Sequence, residues 1–390
     1  MSVAAPARRP NAPPAHAGAS GRPRVMFVGG TRYTLPLAPG LARKWEALGE
    51  VLEPRVVARG ESGAGGDERF SLIDPGVRGP AFYAALAARV AGEARRFRPQ
   101  AVVAQSPYEA CACLAAWAGR TRPPIVAELH ADWRTASRLY GSRLRRAYSG
   151  LADRAALWAL RRADATKALS PFTQELAQEA TGRPPVATFP AYIDLESFTA
   201  TPPAQLPEHP SVAWIGVLQR YKDPEMLAQA WRLVSAQVPE ARLVIVGRGP
   251  LQRTVDALVA RYPGRVRAIP RLEPPEIARL LDESTVLALS SAKGTEGLPR
   301  VIMEAFARAR PVVCTGVGGI PDIVEPGRNG LLVDPGRPQP LARALVRVLT
   351  DRSLAERLGA GAHEDARRAQ WSPRSYAEAV RSMIDSVLEA

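Results

Sequence analysis

Residues 285–333 read TVLALSSAKGTEGLPRVIMEAFARARPVVCTGVGGIPDIVEPGRNGLLV. Thr285 to Leu289 is a continuous aliphatic and β-branched run bounded by small polar residues, the pattern of a strand buried on both faces of a parallel sheet. A loop follows, ending in Glu296, Gly297, Leu298 and Pro299. Proline suits the first position of a helix, so the spacing predicts a helix from about Pro299 to Arg310 that stops at Pro311. The first amides of a helix have no intrahelical partner and carry the positive end of its dipole, and Gly297 lets a ligand come close to the backbone. The expected result is a seat for phosphate. The next unit repeats the plan: a strand Pro311 to Thr315, then Gly316, Gly318 and Gly319, then Pro321 opening another helix.

Two carboxylates frame the seat. Glu296 is on its lip and Glu304 is more than a helical turn further on, too far to share one proton-transfer site. Carboxylates that only accept hydrogen bonds suit hydroxyl groups, so one can hold a ribose and the other a hexose, with a diphosphate between them. Read as plain structure, Glu296 is a solvated loop charge and Glu304 a helix-surface charge. EGLPRVIMEAF, followed by the Gly-Gly-Ile-Pro turn, resembles the signature of the retaining family 4 glycosyltransferases. That resemblance implies an α/β protein of GT-B type, two facing Rossmann-like domains with a cleft between them, and a nucleotide sugar bound mainly to the second.

The whole chain sets wider bounds. Its 390 residues are enough for two domains, and 46% apolar with 23% charged residues is the composition of a soluble globular protein. Cys111, Cys113 and Cys314 are too few for a disulfide framework or zinc site and suggest a reducing, cytoplasmic setting. No stretch reaches the roughly 20 apolar residues that cross a bilayer. A net charge of +14 favours anionic partners without choosing among nucleotide phosphates, acidic lipid and nucleic acid.

Residues 1–22 are rich in Ala, Pro, Gly and Arg and read as a disordered tail. From Arg24, strand and helix signals alternate, which means a parallel sheet wrapped by helices with ligands at the carboxyl ends of the strands. The first strand ends in Gly29 and Gly30, which serve either tight packing or an opening for phosphate or sugar. Glu128-Leu-His-Ala-Asp-Trp-Arg134 follows a strand and places His130, Asp132 and Arg134 in the crevice. The resemblance makes His130 the acceptor-side histidine near the transferred sugar.

Ser142 to Arg162 has one apolar stripe among six arginines: a core helix with a basic face, or a surface that docks on anionic lipid at the inner face of a membrane. The Pro-rich stretch 201–210 separates a first domain, 23–200, from a second, 211–370, and the resemblance sends a final helix, 371–390, back to brace the first.

The second domain opens on a strand ending at Gly216. Lys222 in the following loop matches the cation that clamps the diphosphate in the resembling family, while Val217 stands where the family has arginine, so Arg220 is assigned as the substitute. Gly247 and Arg271 fall in the loops expected to shape the base pocket. No Asp-x-Asp pair occurs, so no metal and no cofactor are implied; Lys222, Arg220 and the helix start would neutralise the leaving diphosphate. The reading is a hexosyltransferase using a UDP- or GDP-sugar and a glycan or lipid-linked acceptor. Two alternatives stay beside it, a nucleotide-sugar epimerase of the same plan and a non-enzymatic basic protein binding lipid or polyanion. No nucleic-acid motif is present.

Overall fold

Proline in the first turn starts helix after helix in this chain, because its fixed φ suits that position and its missing N–H costs nothing there. The computed structural model describes residues 21–61, 66–135, 149–294, 296–369 and 372–390. The first half runs β1 (Arg24–Thr34), α1 (Pro39–Val51), β2 (Glu53–Glu61), β3 (Phe70–Ile73), α2 (Pro80–Phe97), β4 (Ala101–Ala104), α3 (Pro107–Ala116), β5 (Ile125–Leu129), α4 (Ser149–Arg162), β6 (Ala165–Ala168), α5 (Pro171–Thr181), β7 (Ala187–Thr188) and α6 (Glu196–Thr199). The second runs β8 (Ser211–Ile215), α7 (Pro224–Gln237), β9 (Arg242–Val246), α8 (Gln252–Arg261), β10 (Val266–Ile269), α9 (Pro274–Asp282), β11 (Val286–Leu289), α10 (Arg300–Ala307), β12 (Val312–Thr315), β13 (Gly330–Val333), α11 (Pro338–Thr350), α12 (Arg352–Ala369) and α13 (Pro373–Leu388).

Two sheets form, ordered β3-β2-β1-β4-β5-β6-β7 and β10-β9-β8-β11-β12-β13, with every strand pair parallel. In each sheet the chain first builds outward in one direction and then restarts beside its first strand. The crevices therefore open at the carboxyl ends of β1 and β4 and of β8 and β11. Both faces of each sheet are covered. In the second, Trp214, Trp231 and Leu345 fill one side, and Leu287, Ile302 and Phe306 the other.

The final helix belongs to the first core. Tyr376, Val380, Met383 and Ile384 of α13 pack with Trp45 and Leu48 of α1 and with Val25, Ala101 and Val103 of the first sheet. The Pro-rich stretch 201–210 is fastened rather than free. Arg308 donates to the carbonyls of Phe198, Thr201 and Pro202, Arg310 donates to those of Ala204 and Gln205, and both side chains are buried. Leu195 and Phe198 already lie in the second core, so the chain crosses between domains before residue 195, not at 201–210.

Three further expectations are corrected. β1 does not stop at Gly29-Gly30; its register with β2 shifts between Val28 and Arg32 and pairing resumes to Thr34. Pro299 precedes the first turn of α10 instead of opening it, with an extended backbone at ψ 113°, and the helix ends at Ala307. Pro321 opens only a single 3-10 turn, Ile320–Asp322. The tail 1–20 lies outside the described residues, as does the 142–148 part of the basic helix.

Candidate functional site

The site is assembled from three loops of the second domain. After β11, Ser290 accepts from Trp214 Nε1 and donates to the carbonyls of Lys222 and Asp223, tying this loop to the one that follows β8. Thr315 Oγ1 donates to the Ser291 carbonyl at 2.7 Å, and Gly319 N to the Glu296 carbonyl at 3.0 Å, tying in the loop after β12.

Within this frame Glu296 is buried. Its Oε1 accepts from Ser291 Oγ at 2.5 Å and from Lys222 Nζ at 2.7 Å, so the anchor and the clamp expected from the sequence are paired with each other. Lys222 runs under Gly216, where an added Cβ would lie 3.5 Å from its Cδ and Cε. Arg220 is exposed and forms no ion pair among the described residues. Gly247 has φ +146°, and a Cβ there would fall 1.8 Å from the Gly216 carbonyl oxygen, so only glycine fits. Arg271 is exposed and pairs with Glu273 at 2.9 Å.

Glu304 lies in α10, held between β11 and β12, and is buried; its nearest cation is Arg300 Nη2 at 3.6 Å, and among the described residues its carboxylate accepts no hydrogen bond. Burial pushes its pKa up, partly offset by Arg300. A buried carboxylate with empty acceptor positions is suited to paired hydroxyls.

The first domain meets this assembly directly. A Cβ on Gly297 would fall 1.6 Å from the carbonyl oxygen of His130, one on Gly319 2.0 Å from the Gly297 oxygen, and one on Gly318 1.8 Å from the Glu296 oxygen. Backbones from both domains thus stack with no room for a methyl group. Phe172 N donates across the same seam to Asp322 Oδ2 at 3.1 Å. His130 is brought to the seat, its Nε2 3.0 Å from Glu128 Oε2. Asp132 and Arg134 pair with each other at 2.9 Å on the exposed rim. Gly29 and Gly30 stand at the other crevice, against Gln105 and Glu109.

Residue-by-residue reading missed Glu128, Lys167, Ser291 and Asp322. For the first three the signal was a charged residue in a short buried strand, as in IVAEL and ATKA, or a small hydroxyl beside a strand end; Asp322, at the end of a 3-10 turn, had no such signal. A concavity of about 870 Å³ lies elsewhere, near Pro124, Ala165 and Val186 at the amino-terminal ends of β5 and β6. It lacks the convergent carboxylates and glycine turns of the seam, which is the better candidate.

Residues 28–197 match the family model described as Glycosyltransferase Family 4, and residues 209–351 that described as Glycosyl transferases group 1. Each half of the chain carries a glycosyltransferase domain. Among curated relatives, a D-inositol 3-phosphate glycosyltransferase of Nocardioides sp. is 37% identical over 43% of this chain and 40% of its own length. A sulfoquinovosyl transferase of Arabidopsis thaliana is 30% identical over 42% of this chain and 31% of its own. The chain therefore matches well under half the length of these relatives. Two solved structures align over nearly the whole chain and share the GT-B fold. Sucrose-phosphate synthase from Thermosynechococcus elongatus has TM-score 0.72 at 17% identity, covering 93% of this chain and 100% of its own. Anabaena HepE in complex with UDP and glucose has TM-score 0.69 at 20% identity, covering 94% and 100%.

Among the described residues no helix is long and apolar enough to cross a membrane, and no group of three or more His, Cys, Asp or Glu is placed to hold a metal ion. The described part of the basic helix, α4, exposes Leu151 and Trp158, with Arg162 stacked over the Trp158 ring at 5.0 Å.

Proposed function

We propose that the chain is a retaining hexosyltransferase that moves a hexose from a UDP- or GDP-sugar to a hydroxyl of a glycolipid or polysaccharide precursor, at the cytoplasmic face of a membrane. The observation that carries this reading is the convergence, at the crevice between β8 and β11, of the Lys222–Glu296 pair, the amino end of α10 and the unfilled carboxylate of Glu304, with His130 facing them from the first domain.

Chemically, the diphosphate lies over the start of α10. Lys222 and Arg220 take up the charge that develops as the sugar leaves, in a site where backbone amides and side chains are already oriented. Glu304 holds the ribose hydroxyls and Glu296 a sugar hydroxyl. The acceptor enters from the His130 side, beside the Asp132–Arg134 rim, and attacks on the face the diphosphate leaves, its proton passing to the departing phosphate oxygen. No metal is assigned a part, because Lys222, Arg220 and the helix start supply the positive charge.

The experiment is a thermal-shift panel with UDP, GDP and ADP, followed by product analysis of the matching sugar donor with and without a lipid or glycan acceptor. A ligand that binds only the folded chain raises the midpoint by mass action. A shift with UDP or GDP, and an acceptor-dependent product of unchanged anomeric configuration, support the reading. Conversion of the donor without acceptor would make the chain an epimerase, and no shift with any nucleotide would remove the donor assignment.

A further inference from the structure

The first domain buries an ion pair that glycosyl transfer as described above leaves without a task. Glu128 and Lys167 are register partners on β5 and β6. Lys167 Nζ donates to Glu128 Oε1 at 2.8 Å, and the lysine side chain is 1% exposed. The other carboxylate oxygen, Oε2, is 3.0 Å from Nε2 of His130, whose side chain is 43% exposed.

Burial by itself would push the Glu128 carboxyl up; the Lys167 charge and the bond from His130 outweigh it and hold the group well below the usual carboxylate range. An ionised carboxylate can only accept, so His130 Nε2 carries the proton and Nδ1 becomes the ring's remaining acceptor. Other titratable groups close around the pair. Lys44 of α1, pushed down to about 8 by burial, lies over the rings of Trp45 and Tyr376. Tyr33 of β1 is pushed up to about 12 by burial, and Tyr376 of α13 is raised by burial too. Glu109 of α3, raised by burial, faces His130. A buried ion pair is a poor source of stability, since desolvation consumes most of its attraction, and apolar residues would fill the same space at no loss.

We propose that Glu128 and Lys167 are positioning residues for His130: Lys167 keeps Glu128 ionised, and Glu128 fixes the imidazole's orientation and its Nε2–H tautomer, presenting Nδ1 to a hydroxyl in the cleft. This rests on the reading of the cleft as a glycosyl-transfer site. Sequence spacing allows it, because Glu128 is in β5 and His130, two positions on, directly follows the last residue of that strand.

The test uses the full chain labelled with ¹⁵N-histidine, the His130 ring signals being identified by their loss in His130→Gln. The parent should show the neutral Nε2–H tautomer. In Lys167→Met, Glu128 loses its cation, takes up a proton and donates to Nε2, so the ring changes to the Nδ1–H tautomer. The double variant Glu128→Leu/Lys167→Met removes both charges at similar volume. It should fold, give mixed tautomers, and lower turnover of the sugar donor that the thermal-shift panel selects by about 10- to 100-fold with binding of its nucleotide unchanged. An unchanged tautomer in Lys167→Met, or a folded double variant that turns over like the parent, would overturn the proposal. If instead His130→Gln turns over like the parent, the cleft reading fails; the tautomer measurement needs no substrate and tells the two failures apart.

Discussion

Lys222 Nζ stands 2.7 Å from Glu296 Oε1, so the cation that would hold a leaving diphosphate and the carboxylate that would hold a sugar neutralise each other while neither has a ligand. On the proposed reading, an arriving diphosphate would compete for the same ammonium and release Glu296 to a hydroxyl, with Ser291 keeping its orientation. Glu296→Gln removes the competing charge and keeps the shape. Turnover of the sugar donor that the thermal-shift panel selects should fall about 100-fold, while binding of its nucleotide, followed by calorimetry, should tighten because Lys222 is already free. Weaker nucleotide binding in Glu296→Gln would show that the pair assists the nucleotide instead of competing with it.

Glu304 makes the opposite trade. Its folded pKa is raised by burial, so the folded chain disfavours the ionised form, and stability falls as pH rises from the ordinary glutamate value through the raised one. Above that window Glu304→Gln should raise Tm, by roughly 2 °C, while the difference should vanish at acidic pH, where Glu304 is protonated and neutral. The same substitution should weaken nucleotide binding about tenfold, through loss of charged acceptors for hydroxyls. Parallel melting curves at pH 4 and pH 8, with and without UDP, check both signs.

Gly297→Ala places a methyl group where the His130 carbonyl oxygen now lies. Backbone cannot yield as a flexible side chain can, so the two domains must separate locally. Gly297 contributes no side chain to either core, so each should keep its unfolding midpoint, whereas turnover should fall by about 100-fold, in line with the cost of misplacing a site by an ångström. Small-angle scattering of the variant with UDP should report a wider particle than the parent. Identical scattering together with parental turnover would rule out a functional closed seam.

Arg308 fastens the inter-domain segment to the second domain through three carbonyls and Asp282, whose Oδ1 it reaches through Nε at 3.0 Å. Arg308→Met strands those acceptors and leaves Asp282 with the Ala204 amide and, among the described residues, with Arg310 at 3.8 Å as its one remaining cation. The expected loss is about 3 kcal/mol in urea unfolding, with protease cleavage appearing first in residues 201–210. Substituting Arg337, which forms an exposed ion pair with Asp334, should change neither.

Much of this architecture could be read from residue patterns, because parallel strands buried on both faces are short apolar runs and the prolines mark helix starts. β4 (Ala101–Ala104) and β10 (Val266–Ile269) have the limits their apolar runs suggest. β3 and α9 escaped notice: FSLI is too short to show a period, and the apolar face of PPEIARLLD follows two prolines that look like a loop. The positions of Glu296, Gly297 and Lys222 in one frame followed from strand ends and turn residues. Their mutual pairing did not, because it depends on how a loop after β8 and another after β11 meet, and nothing local to either sequence encodes that. Lys167 was hidden for the same reason; its partner is 39 residues away on the neighbouring strand.

The helix α13 supplies Tyr376, Val380, Met383 and Ile384 to the core beneath α1 and the first sheet. During synthesis those residues leave the ribosome after everything they pack against. The second domain can close on itself as soon as α12 emerges, but the first must wait with Trp45, Leu48 and Val103 uncovered. The order of assembly is thus the reverse of the order of translation, and the period of greatest exposure to aggregation or to chaperones is set by the time needed to make the second domain.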